Sequence, residues 1–188
     1  MLDAIDLAEH HRIGLTFESY LASDPERAEP WRTMHRSVEL TDDQRRVLGS
    51  FVRRMPVLVV SGIWCGDCVQ QGPLLERIAE ANDCIELRWL DRDEHPELSS
   101  RLRINGGDRV PVVVFLSEDY DPVSIFGDRT LSRYRAMAAA RLGASCPLPG
   151  APVPDDEIRS TLADWLREFE RVQLLLRLSP RLRSRHND

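Results

Sequence analysis

Trp64-Cys65-Gly66-Asp67-Cys68 is the stretch on which the reading of this chain turns. Before it lies Pro56-Val57-Leu58-Val59-Val60-Ser61, a continuous apolar run rich in β-branched residues, which fits a strand buried on both faces of a sheet. After it, Val69 to Asn82 carries Leu74, Leu75, Ile78 and Ala79 at helical spacing and breaks at Asn82-Asp83. The cysteines therefore stand where a buried strand turns into a helix. A thiol at a helix N-terminus meets unsatisfied backbone N–H groups and the positive end of the helix dipole, and both stabilise a thiolate. Cys68, one turn along, faces the same side and can close a small disulfide ring with Cys65. That placement predicts Cys65 as the exposed nucleophile and Cys68 as the more buried resolving thiol.

Reading onward, Ile85-Glu86-Leu87-Arg88-Trp89-Leu90 alternates as a second strand, and Pro96 to Arg103 reads as a short helix ended by Asn105-Gly106-Gly107. Val112 to Leu116 is a third strand, Asp119-Tyr120-Asp121-Pro122 a turn, and Val123 to Phe126 a fourth strand. Arg129 to Leu142 is helical, with Ala136 to Ala140 favouring that state. The first two strand connections are long enough for crossovers between parallel strands; the third is a tight turn and predicts an antiparallel hairpin. The expected class is α/β: a small mixed central sheet with helices on both faces.

Two motifs carry a family resemblance. Trp64-Cys65-Gly66-Asp67-Cys68 closely resembles the thioredoxin signature, and Val110-Pro111-Val112-Val113-Val114-Phe115 resembles the family's second signature, a cis-proline opening a strand. The likeness spans about residues 55 to 142. Leu90-Asp91-Arg92-Asp93, Asn105-Gly106-Gly107 and the Val-Pro pair resemble a bacterial subgroup with helical N-terminal extensions. The resemblance implies a thioredoxin fold and thiol–disulfide oxidoreductase activity. It implies a cis bond between Val110 and Pro111, a substrate-docking role for Trp64, Val110 and Pro111, and no cofactor.

The chain departs from the family in its tuning residues. Thioredoxins carry a buried acid six residues before the first cysteine, and that position is Val59; the acid's lysine partner has no counterpart, because all 25 basic residues are arginine. Asp67 suits a helix N-terminus but opposes ionisation of the neighbouring thiols, and it is a candidate replacement proton relay. Arg109, two before Pro111, either lowers the pKa of Cys65, binds an acidic substrate or is a solvated loop arginine. Zinc is not expected at the pair, since a structural site needs four ligands, Cys84 and Cys146 are isolated, and His10-His11 are adjacent near the terminus. Cys84 reads as a small buried hydrophobe at the start of a strand, and His95 as a helix-cap neighbour.

The rest of the chain frames this core. Residues 1–55 read as a polar helical extension, broken by Pro25 and Pro30, with a capped helix at Thr41-Asp42-Asp43-Gln44 and an apolar face of Leu40, Val47, Leu48, Phe51 and Val52. Residues 56–143 form the thioredoxin-like domain, 144–154 a proline-rich spacer, and 155–188 a helix with a frayed basic tail. That helix puts Ile158, Leu162, Trp165, Leu166, Phe169, Val172 and Leu176 on an apolar stripe, which packs on the domain, binds a partner or makes a homodimer. A net charge of -6 argues against nucleic acid, and no apolar run reaches the ~18 residues of a membrane span. The acidic start, without a basic region leading an apolar block, points to the cytoplasm. The expected partners are a disulfide-bearing protein or low-molecular-weight thiol and an unidentified electron donor. The rival expectation is a redox-inert binding module, which would need no nucleophile.

Overall fold

The computed structural model describes residues 2–142 and 156–186. Its centre is a four-stranded sheet of β1 (Met55–Ser61), β2 (Ile85–Asp91), β3 (Val112–Leu116) and β4 (Pro122–Gly127), in the spatial order β2-β1-β3-β4. Every residue of β1 and of β3 is buried, so both faces of the central strands are covered. Helix α5 (Gly66–Ala79) follows β1 and crosses to the parallel β2, with Met55 opposite Ile85 and Ser61 opposite Asp91.

The β2–β3 connection departs from the sequence expectation. β3 runs antiparallel to β1, with Val60 opposite Val112. The helix in that connection, α6 (Pro96–Ser99), is four residues long rather than reaching Arg103. At 1.5 Å per residue it spans about 6 Å, far short of the roughly 23 Å needed to cross a seven-residue strand. The chain therefore stays at the C-terminal end of β1 and re-enters the sheet there, after a left-handed turn at Asn105-Gly106 (φ 49° and 71°). That short return sets Pro111 beside the cysteine pair.

The N-terminal segment folds as α1 (Ala4–Ile13), α2 (Phe17–Ala22), α3 (Pro25–Ser37) and α4 (Asp42–Gly49). Pro25 starts α3 at its first turn, where its missing N–H is tolerated, and Pro30 lies within that helix instead of breaking it. The Thr41 capping box forms: the Thr41 hydroxyl accepts from the Gln44 N–H, and the Gln44 side chain accepts from the Thr41 N–H at 2.9 Å. Leu48 and Phe51 are buried as expected, but Val52 is exposed. The segment is less polar than its composition suggests. Phe17, Tyr20 and Trp31 pack with Trp89 of β2 in one aromatic cluster, with ring centroids 5.5–6.2 Å apart. Leu15 exchanges two backbone hydrogen bonds with Trp89 and covers the outer edge of β2.

At the other end, α7 (Leu131–Leu142) precedes α8 (Glu157–Leu178) and α9 (Pro180–His186). The apolar stripe of α8 covers the chain's own sheet: Phe169 meets Phe115 and Trp165 meets Phe126, each at 4.9 Å edge to face. Ile158, at the first turn, lies outside the stripe and is exposed. Gln173 seals the join, accepting from the Arg53 N–H at 2.8 Å and donating to the Arg53 carbonyl at 3.0 Å. The basic tail is helical rather than frayed, because Arg181, Arg185 and His186 pair with Asp119 and its neighbours. The spacer and Cys146 lie outside the described residues.

Candidate active site

The site lies at the end of β1. Ser61-Gly62-Ile63-Trp64 leaves the strand, and Cys65 is the N-cap of α5, in extended conformation with no side-chain cap bond. The first turn of α5 thus points its free N–H groups at sulfur instead of at a side-chain oxygen. Cys65 and Cys68 are both free thiols; Cys65 is half-buried and Cys68 fully buried. The Cys65 pKa falls from 9.0 to about 6. Its largest cause is hydrogen bonding from the Cys68 thiol; the Cys68 and Asp67 backbone N–H groups add to it, while burial and the Asp67 charge oppose it. Cys68 moves the other way, pushed well above 9.0 by burial and by the neighbouring Cys65. The Ser61 hydroxyl and the Gly62 backbone partly offset that rise. The two sulfurs are therefore poised apart, one ionised near neutrality and one holding its proton.

The Val110–Pro111 peptide is cis, and the Val110 carbonyl lies 3.8 Å from the Cys65 sulfur. Trp64 flanks the pair, 43% exposed, with the Arg92 guanidinium 4.6 Å above its ring. Arg92 in turn donates to the Asp108 carbonyl at 2.9 Å, tying Trp64 to the loop that carries Val110 and Pro111. A Cβ on Gly62 would fall 2.8 Å from the Trp64 ring, so this glycine lets the indole lie back on the chain.

Asp67 does not face the thiols alone. One carboxylate oxygen accepts from Arg129, and the other accepts from Arg133 at 3.1 and 3.2 Å. With both oxygens engaged by guanidinium groups, Asp67 is a compensated charge and a poor proton relay. Arg109 is likewise spoken for: it donates to Asp128 at 3.0 Å. Burial opposes ionisation of Asp128, but hydrogen bonds from Tyr134 and Arg109, with Arg129 close by, outweigh it and hold the carboxyl below its ordinary value. The Asp128 carbonyl accepts from Gln71 of α5 at 3.0 Å, so this network braces the helix that carries the cysteines. The Gly127–Asp128 peptide is also cis.

Sequence reasoning placed Trp64, Cys65, Cys68, Val110 and Pro111 together, and the structure brings them together. It missed Arg129, which stands just ahead of α7, and Arg133, in the first turn of α7, and it missed Trp31. The Trp31 indole donates to the Ile63 carbonyl at 3.0 Å, just ahead of the motif. Cys84 precedes β2 and is only partly buried, with its thiol raised to about 11 chiefly by desolvation.

A strand ending in a thiol at a helix N-terminus, with a cis-proline loop against that thiol, defines a protein of thioredoxin-like fold. A model of the thioredoxin family matches residues 14–141, most of the chain, and the chain belongs to that family. Among solved structures, it resembles a protein of unknown function from Pseudomonas aeruginosa, with a TM-score of 0.69 at 17% identity over 92% of this chain and 97% of the other. It also resembles an HIV epitope scaffold, with a TM-score of 0.59 at 20% identity over 90% and 93% of the two chains. Both are likenesses of fold. No curated protein matches the sequence. Among the described residues, no helix is long and apolar enough to cross a membrane.

Proposed function

We propose that this protein is a dithiol–disulfide oxidoreductase that reduces or exchanges disulfides of proteins or small thiols. The observation that carries the reading is the divergence of the two thiols. Cys65, at the helix N-terminus, titrates at about 6, and buried Cys68 titrates well above 9.0. The Cys65 thiolate attacks a substrate disulfide, forming a mixed disulfide and expelling one substrate sulfur as a thiolate that takes a proton from solvent. Cys68 then loses its proton and attacks the Cys65 sulfur. The Cys65–Cys68 disulfide forms, the second substrate thiol leaves, and the substrate has gained two electrons. An external dithiol restores the pair.

The Val110 carbonyl and the exposed face of Trp64 suit an extended substrate segment laid across the pair. The test is reduction of a model protein disulfide with dithiothreitol as donor. Cys65→Ser abolishes turnover, and Cys68→Ser accumulates mixed disulfides that mass spectrometry identifies. Full activity in Cys65→Ser, or no exchange by the wild-type protein, overturns the reading in favour of a redox-inert binding module.

A further inference from the structure

His10 of α1 and His95 and Glu97 at the start of α6 converge where the N-terminal segment meets the β2–β3 connection, on elements the dithiol chemistry does not use. One nitrogen from each histidine and one oxygen from Glu97 all lie within 4.8 Å of one another. His10 Nε2 is 3.3 Å from Glu97 Oε1, and His95 Nδ1 is 3.6 Å from the same oxygen. The second distance is too long for a hydrogen bond, and the first is at its outer limit. Both match the edge of a metal-centred tetrahedron: ligand bonds of about 2.0–2.2 Å place neighbouring ligand atoms roughly 3.3–3.6 Å apart.

The surroundings orient His10 as a metal ligand requires. His10 is buried, and its Nδ1 lies 2.8 Å from the Asp6 carbonyl. A proton on Nδ1 satisfies that carbonyl and leaves the Nε2 lone pair aimed at the cluster. The Asp6 carboxylate is held in turn by Arg101 at 2.8 Å. The His95 N–H donates to the Asp91 carbonyl at 3.1 Å, fixing the backbone at the end of β2. Two neutral imidazoles and one carboxylate are a donor set of zinc type, and three protein ligands leave a fourth position open to water.

We propose that His10, His95 and Glu97 form a divalent transition-metal site, of zinc type, that clips α1 to the β2–β3 connection. The inference is independent of the dithiol reading. The metal would be bound by the folded chain alone, so it would stabilise the fold in proportion to its occupancy. It would also steady the connection that carries Arg92 and, further on, Val110 and Pro111.

The test uses the full chain with Cys65 and Cys68 oxidised to a disulfide, so that the dithiol cannot chelate. Titration with Zn²⁺ should give one bound equivalent and a raised Tm. Co²⁺ should give weak visible bands without the near-ultraviolet thiolate charge transfer that a cysteine ligand would add. Glu97→Ala and His95→Ala, both at partly exposed positions, should weaken metal affinity about a hundredfold or more while the metal-free Tm stays close to wild type. His10→Ala should do the same, and the two milder variants decide the matter if it folds poorly. No Zn²⁺ binding by the oxidised protein, or equal affinity in Glu97→Ala and wild type, overturns the site and leaves a polar contact between α1 and the β2–β3 connection.

Discussion

The indole N–H of Trp31 donates to the carbonyl of Ile63 at 3.0 Å, so a residue of the N-terminal segment holds the loop that delivers Cys65. Trp31 is fully buried, and its ring lies so close to α5 that a Cβ on Gly72 would fall 2.2 Å from it. The segment is thus part of the wall behind the cysteines. Trp31→Phe keeps an aromatic ring but leaves the Ile63 carbonyl without its donor. The expected loss is about 1–3 kcal/mol of stability by urea denaturation, with a shift in the Cys65 titration midpoint as the loop relaxes. An unchanged midpoint together with unchanged stability would show that the contact does not brace the motif.

Cys65 should react as a thiolate across the neutral range. Its alkylation by iodoacetamide rises as pH increases through about 6 and is flat above 7, because only the thiolate attacks. An unperturbed cysteine has its midpoint near 8.5. Stopped-flow alkylation with mass-spectrometric site assignment gives the profile. A midpoint above 8 would mean that the helix N-terminus and the Cys68 thiol do not stabilise the thiolate.

Asp67 raises the Cys65 pKa through its charge, and its two arginine partners limit that effect. Asp67→Asn removes the charge and frees Arg129 and Arg133 to act on sulfur. Both changes have the same sign, so the midpoint for Cys65 falls, by about a unit for charges this near. A proton relay at Asp67 would give a different signature: the mixed disulfide would resolve more slowly in Asp67→Asn. Because both oxygens are engaged by guanidinium groups, the resolution rate should hold.

How much of this was readable in the sequence follows from the range of each interaction. The strand Met55–Ser61, the helix after it and the Thr41 capping box are local patterns, and apolar periodicity or cap chemistry reveals them directly. Pro111 could be placed only through its family signature. The antiparallel entry of β3 was hidden, because it depends on a helix of one turn where the periodicity suggested two. The partners of Asp67 are 62 and 66 residues away, and the Ile63 carbonyl and Trp31 are 32 apart. No local period encodes such pairs; they exist only once the fold has set α3, and the start of α7 with the chain just before it, against α5 and the loop ahead of it.

Glu76 gives the fold a pH dependence of its own. It lies on the inner side of α5, accepts from the Trp89 indole at 3.1 Å, and titrates at about 7 instead of 4.5, chiefly because burial disfavours its charge. The folded chain therefore holds a proton that the unfolded chain releases between pH 4.5 and about 7. Stability from this group is fully present below pH 4.5 and is lost as pH rises through 7. Glu76→Gln keeps an acceptor for Trp89 and removes the charge. It should be neutral at pH 4 and stabilising by about 2–3 kcal/mol at pH 8, on the scale of 1.36 kcal/mol per pKa unit. Urea denaturation at the two pH values measures the difference. Equal effects at both would show that water, rather than the half-buried contact with Trp89, sets the ionisation of the Glu76 carboxylate.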